Sequence, residues 1–155
     1  MISSTALHAV RALSQLAELP EGDYSGAGAL ARAVEAPANY LGKLLQELAR
    51  WGLLESRKGL GGGFRLARPA AAISLLEIVE PIDQLGRWQG CLLGRPECSE
   101  DAPCAIHDEW AKLRAGYLAL LEHTRLEDLR GARGPLTASD DEPARARPPR
   151  HGRKT

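Results

Sequence analysis

Between residues 29 and 66 the chain is punctuated in a way that few folds accommodate. Ala29 to about Glu35 has helical spacing, with Leu30, Ala31 and Val34 apolar. Ala36-Pro37 stops that helix, because proline has no N–H to donate and steers its neighbour away from the α region. Pro37 then suits the first position of a new helix. That helix is expected from Pro37 to Trp51, with Leu41, Leu44, Leu45, Leu48 and Trp51 as its buried stripe and Gly52 as its stop. Asn39, Tyr40, Gly42 and Lys43 fall on the opposite face near its start. Two short extended runs follow, Leu53 to Lys58 and Phe64 to Leu66, around Gly59-Leu60-Gly61-Gly62-Gly63. Two helices about a tight turn and then a hairpin predict a winged helix-turn-helix. The glycine run does not predict a nucleotide phosphate loop. The Walker lysine with its Ser/Thr is absent, and so is a strand-loop-helix frame.

The rest of the chain reads as helix. Ser3 or Ser4 can cap a first helix whose broad apolar face is Ala6, Leu7, Ala9, Val10, Leu13, Leu16, Ala17 and Leu19, ended by Pro20 and Gly22. His8 within it reads as a polar-tipped packing residue; a metal ligand or pH-sensitive contact is the sharper alternative. Ser74-Leu75-Leu76-Glu77 is a capping box opening a short helix, with Pro81 as its expected end. From Pro103 onward Ile106, Trp110, Leu113, Tyr117, Leu120 and Leu121 recur at intervals of four and three. This long helix, about 104–123, needs cover for its stripe, and a second copy of the chain is the expected partner. Thr124-Arg125-Leu126-Glu127 reads as another capping box. The expected fold is mainly α with one small β-hairpin. Residues 1–130 are expected to form one winged-helix domain, with a reader at about 1–68, a cysteine loop at 90–104 and a long C-terminal dimerisation helix. Residues 131–155, rich in Pro, Ala and Arg, are expected to be a disordered basic tail.

Composition narrows the setting. No apolar run approaches the roughly 18 residues a membrane span requires, so no membrane partner is expected. The N-terminus lacks the basic and apolar regions of a signal peptide, which makes a cytoplasmic location the expectation. The 155 residues carry 20 Lys/Arg and 20 Asp/Glu, unevenly spread. Residues 1–68 hold eight Lys/Arg against six Asp/Glu, 69–130 six against eleven, and 131–155 six against three. Nucleic-acid binding must therefore rest on local placement rather than bulk charge. Arg57, Lys58 and Arg65 surround the hairpin tip and suit phosphates or a minor groove.

All three cysteines, Cys91, Cys98 and Cys104, stand in one stretch broken by Gly90, Gly94, Pro96 and Pro103, and His107 follows three residues after the last. The spacing is C-x6-C-x5-C-x2-H. In a reducing compartment such a set favours ligation or redox chemistry over disulfides. Thiolates with an imidazole suit an iron–sulfur cluster, and by residue type suit zinc equally well. A thiol switch uses the same residues. A cysteine hydrolase is not indicated, because no substrate-pocket or oxyanion motif accompanies the pair. No enzyme is expected.

The stretches YLGKLLQELARWGLLESRKGLGGGFRLA and SLLEIVEPID, the spaced cysteines and the closing TRLEDL resemble the Rrf-type winged-helix transcription regulators, the family of IscR and NsrR. The resemblance covers about residues 1–130. It implies a homodimer on a palindromic operator of double-stranded DNA, with Asn39, Tyr40 and Lys43 where the family reads bases and Lys58 where it has a wing cation. It also implies an iron–sulfur cluster, [2Fe–2S] or [4Fe–4S], on Cys91, Cys98 and Cys104, with His107 matching the histidine of IscR. The chain departs from IscR at Gly42, where IscR is acidic, and in its first cysteine gap, which is one residue longer. At the first-helix position where NsrR supplies an aspartate, this chain has Leu7, with His8 one residue out of register. A cluster-less, zinc or thiol-switch regulator of the same fold, an electron-transfer or cluster-carrier protein on the same scaffold, and a winged helix that acts by binding another protein are the alternatives. The Asn39–Lys43 face and the basic wing argue against a carrier, which needs neither.

Overall fold

The structure is a computed structural model and describes residues 2–86, 90–96 and 98–130. Five α-helices and one hairpin follow in the order α1 (Ser4–Ala17), α2 (Ala27–Ala33), α3 (Ala38–Arg50), β1 (Leu54–Arg57), β2 (Gly63–Leu66), α4 (Leu75–Asp83) and α5 (His107–His123). Short 3-10 turns stand at Ala70–Ala72 and Leu126–Leu129. The mainly helical, winged helix-turn-helix expectation holds. The expected tail lies outside the described residues. Among those residues no helix is long and apolar enough to cross a membrane.

α1 is the helix about which the others pack. The Ser3 hydroxyl caps it by accepting from the Ala6 N–H. Ala6, Ala9, Ala12 and Leu13 are completely buried, and α2, α3, α4, β2 and the last 3-10 turn all rest against the helix. Its small residues let neighbours approach from several sides. Leu41, Leu45 and Leu48 of α3, Ile73, Ile78 and Leu85 around α4, and Leu121 and Leu126 complete one core. Each such side chain contributes about 1.5–3 kcal/mol on burial.

Several boundaries differ from expectation, each for a local reason. α2 begins two residues early because Gly26 serves as its N-cap, and it ends before Glu35, which adopts φ +55°. Pro37 is the N-cap of α3 rather than its first residue. Trp51 is no part of the buried stripe. It sits at the C-cap, 42% exposed, and Leu7 is 38% exposed on the outer side of α1. α4 does not stop at Pro81 but runs on to Asp83 before Gln84 turns left-handed. The proline costs one helix hydrogen bond, but Asp83 is held from outside by the Ser3 N–H and hydroxyl. The Ser74–Glu77 capping box forms as expected. Thr124 does not cap. Its hydroxyl donates back to the Leu120 carbonyl at 2.7 Å, and Asp128 accepts from the Arg125 N–H instead.

Two strand-like bridges lock the ends of the fold. Leu75 N–H donates to Thr124 O and Leu126 N–H to Ile73 O, each at 2.9 Å, so the segment after α5 closes over the start of α4. β1 and β2 pair antiparallel, Leu54 with Leu66 and Arg57 with Gly63. The Ser25–Phe64 bridge then ties β2 to the chain ahead of α2. Gly63 is obligatory there. It has φ +138°, and an added Cβ would lie 2.4 Å from Ser25 O. Gly63→Ala should therefore cost about 2 kcal/mol or more. Gly61→Ala, at φ +71° but with only an ordinary 3.7 Å contact to Arg57 Nη2, should cost about 1 kcal/mol. Urea unfolding of both variants checks the order; equal losses would mean that the bridge does not hold the wing.

Candidate functional site

α3 buries Leu41, Leu44, Leu45 and Leu48, so geometry sends Asn39, Lys43, Gln46 and Arg50 outward as one stripe at spacings of four, three and four. The small residues Ala27, Gly28 and Gly42 floor a shallow hollow beside Asn39, Lys43 and Gln46. Gln46 was missed by the sequence reading, although its spacing from Lys43 placed it on the same face. Arg50 pairs with Glu47 in an exposed ion pair, which is worth little. Tyr40 turns the other way. Its half-buried ring meets His8 edge-on, with centroids 5.7 Å apart. His8 thus takes the packing role, and its buried Nδ1 finds no hydrogen-bond partner among the described residues.

The wing separates its three cations. The Arg65 guanidinium pairs with Glu55 across the hairpin, at 2.6 Å from Nη2, and that bond raises its pKa above the ordinary value. Arg57 donates to Gly61 O at 2.7 Å, closing the glycine turn on itself. Both guanidiniums lie over the ring of Tyr24, at 4.5 and 4.9 Å from its centroid. Lys58 is exposed and makes no hydrogen bond or ion pair among the described residues. Nothing in the sequence marked Tyr24, which stands in the connection between α1 and α2.

The thiols converge as their spacing suggested. The sulfurs of Cys91, Cys98 and Cys104 all lie within 4.8 Å of one another, and Cys91 Sγ is 3.7 Å from Cys104 Sγ. His107 stands at the edge, its Nδ1 3.2 Å from Cys98 Sγ. It is the first residue of α5, and its N–H donates to Cys104 O. Cys104 therefore precedes the helix in a turn, rather than sharing a helical face with His107. A cavity of ≈ 250 Å³ opens over the three cysteines, His107, Trp110 and Arg114. Gly94, at φ +70°, bends the chain back, its N–H donating to Cys91 O. Backbone N–H groups of Arg95 and Leu93 then point at the Cys91 sulfur, and with the Cys98 and Cys104 thiols they lower its pKa to about 7. The Cys104 N–H favours the thiolate of Cys98, but desolvation and the two neighbouring thiols outweigh it, so Cys98 is raised overall. Three soft donors, two of which receive backbone N–H groups, with an imidazole beside an open cavity, fit a thiolate-bound metal centre. The Trp110 indole donates to Gly90 O at 3.1 Å and pins the loop's start to α5.

The family profile described as Rrf2, iron-dependent transcriptional regulator, matches residues 2–131. A protein of Aquifex aeolicus (strain VF5) named as an HTH-type transcriptional regulator is 31% identical over 131 residues, covering 83% of this chain and 90% of its own. The structure is similar to that of CymR, the global cysteine regulator of B. subtilis, at TM-score 0.69 and 24% identity, over 83% of this chain and 95% of that one. It is also similar to T. potens IscR, at TM-score 0.63 and 22% identity, over 83% and 84%. At these identities the two structures speak to the fold alone. The helix-turn-helix, the wing and a profile match across all of the described fold lead to one assignment: the chain belongs to the Rrf2 family of DNA-binding transcriptional regulators, which are not enzymes.

Proposed function

We propose that this regulator binds a palindromic operator as a homodimer, and that an iron–sulfur cluster on Cys91, Cys98 and Cys104, with His107 as fourth ligand, sets its affinity for DNA. The convergence of three sulfurs within 4.8 Å at the root of α5 carries the reading. When bound, the cluster supplies a redox- and nitric-oxide-reactive centre whose assembly also depends on iron supply. The remaining steps belong to the chain. Ligation orders the loop because metal binding is coupled to folding. The loop is joined to α5 through His107, and by Trp110 to Gly90. α5 packs on α4, and α4 on α1, which carries the reading head. Only a difference in contacts between the two loop states changes DNA affinity.

On DNA, Asn39, Lys43 and Gln46 face base edges and Lys58 faces a phosphate. Asn and Gln suit adenine and Lys suits guanine. The dimer reading rests on α5. Leu113 and Leu120 are 67% and 61% exposed, with Gly116 between them, while Leu121 is buried toward α4. A second copy covers that seam and brings the two reading heads to half-sites one turn apart. Zinc is a second reading with an observation of its own. The 3.7 Å between Cys91 and Cys104 sulfurs matches two thiolates on one tetrahedral ion with bonds of about 2.3 Å.

Protein purified without oxygen should be coloured and contain iron and sulfide. Cys98→Ala should abolish the visible absorbance, and His107→Ala should leave a more labile cluster. Colourless protein that cannot be reconstituted and carries one zinc would replace the cluster with the second reading. Lys43→Ala should weaken binding to a footprinted operator by about 1–3 kcal/mol, and Lys58→Ala should reduce the salt slope by about 1. Leu113→Asp puts an unpaired charge in the seam. It should raise the dimer dissociation constant about 100-fold or more in sedimentation, whereas a wild-type monomer at micromolar concentration would refute the seam.

A further inference from the structure

The wing holds two arginines on one aromatic ring. Tyr24 lies outside both the reading helix and the hairpin, yet Arg57 of β1 and Arg65 of β2 converge on it, at 4.5 and 4.9 Å from its centroid. Each guanidinium also has a partner within the hairpin, Gly61 O for Arg57 and Glu55 for Arg65. Two like charges drawn to one ring repel each other. The arrangement persists because the ring's negative face attracts both, the Glu55 carboxylate neutralises one, and a carbonyl dipole takes up the other. Next to Tyr24, Ser25 exchanges both backbone hydrogen bonds with Phe64, so ring and bridge grip the same strand from one short connection.

We infer that Tyr24 is the positioning residue of the wing. It stacks Arg57 and Arg65 as scaffold, fixes the hairpin's angle to α3, and leaves Lys58 as the wing's phosphate contact. Arg57 and Arg65, which their place near the tip marks as DNA ligands, then serve the shape of the wing instead. A fixed hairpin contacts DNA in one register with α3, which favours the operator over other sequences. A released hairpin with two free guanidiniums reaches phosphates on any sequence. The inference rests on the reading of α3 and wing as the DNA surface.

The test measures affinity against salt concentration for the full-length protein, on a footprinted operator and on unrelated duplex DNA. Tyr24→Phe keeps the ring and should match wild type. Tyr24→Ala should lower the ratio of specific to non-specific affinity about tenfold or more. It should also steepen the salt slope, by roughly 0.9 for each added phosphate contact. Tyr24→Leu, which keeps the apolar bulk without the ring face, should behave as Tyr24→Ala; thermal unfolding of all three verifies that each is folded. A shallower slope in Tyr24→Ala would mean that the stacked arginines were themselves gripping phosphates, and overturns the inference. An unchanged slope and ratio overturn it as well. In either case a loss of operator binding in Lys43→Ala leaves the reading of α3 standing; no binding of wild type to any duplex removes both.

Discussion

The buried face of α1 is the constraint on which the other elements depend. Ala6, Ala9 and Ala12 expose nothing to solvent, and alanine keeps every neighbouring helix close to the α1 backbone. The reader helices, the wing strand, α4 and the closing 3-10 turn are all referred to this one helix. Interiors packed at crystal density transmit displacement rather than absorb it. A shift of α4 against α1 is therefore felt at α3 and at the wing. Ser3 marks the junction, capping α1 with its hydroxyl while it binds Asp83 at the end of α4.

The cysteine loop lies at the far end of that chain of contacts. It leaves α4 just after the left-handed Gln84 and the buried Leu85, and enters α5 at His107. α5 is anchored at its other end, where Leu121 and Leu126 are buried and the Thr124–Leu75 hydrogen bond closes on α4. Its exposed leucines lie between these two anchors. One helix thus joins the thiol centre, the proposed dimer seam and the packed core. In the proposed dimer, a change in loop order would reach both subunits' reading heads through this one helix.

The proposed DNA surface divides into side chains that are available and side chains that are engaged. Among the described residues Asn39, Lys43 and Gln46 are exposed beside a shallow hollow, while Tyr40 is turned in against His8. In the wing, Lys58 stands free while Arg57 and Arg65 are engaged with Tyr24, Gly61 and Glu55. Equal charge in the sequence conceals unequal availability.

Much of this was legible in residue order because it is set by local rules. Pro37, Gly52 and the glycine run place the helix ends and the hairpin through backbone sterics alone. The leucine spacing of α3 selects its buried face, and the Ser74–Glu77 box starts α4. The cysteine spacing and the broken loop between them pointed to a candidate ligand site. Other features were not legible, because they come from residues distant in sequence meeting in space. Pro81 was expected to end its helix, and Asp83 carries the helix past it through a contact with Ser3. The apolar repeat of α5 could not say which leucines are spent on α4, and the structure divides it into a buried Leu121 and exposed Leu113 and Leu120. Tyr24 has no motif at all. Sequence by itself determined the winged fold and the four candidate ligands, since those follow from period, punctuation and donor chemistry. Only the tertiary structure decided which cations are free and which are clamped, because that depends on a ring contributed by a connection more than thirty residues from both of the arginines it holds.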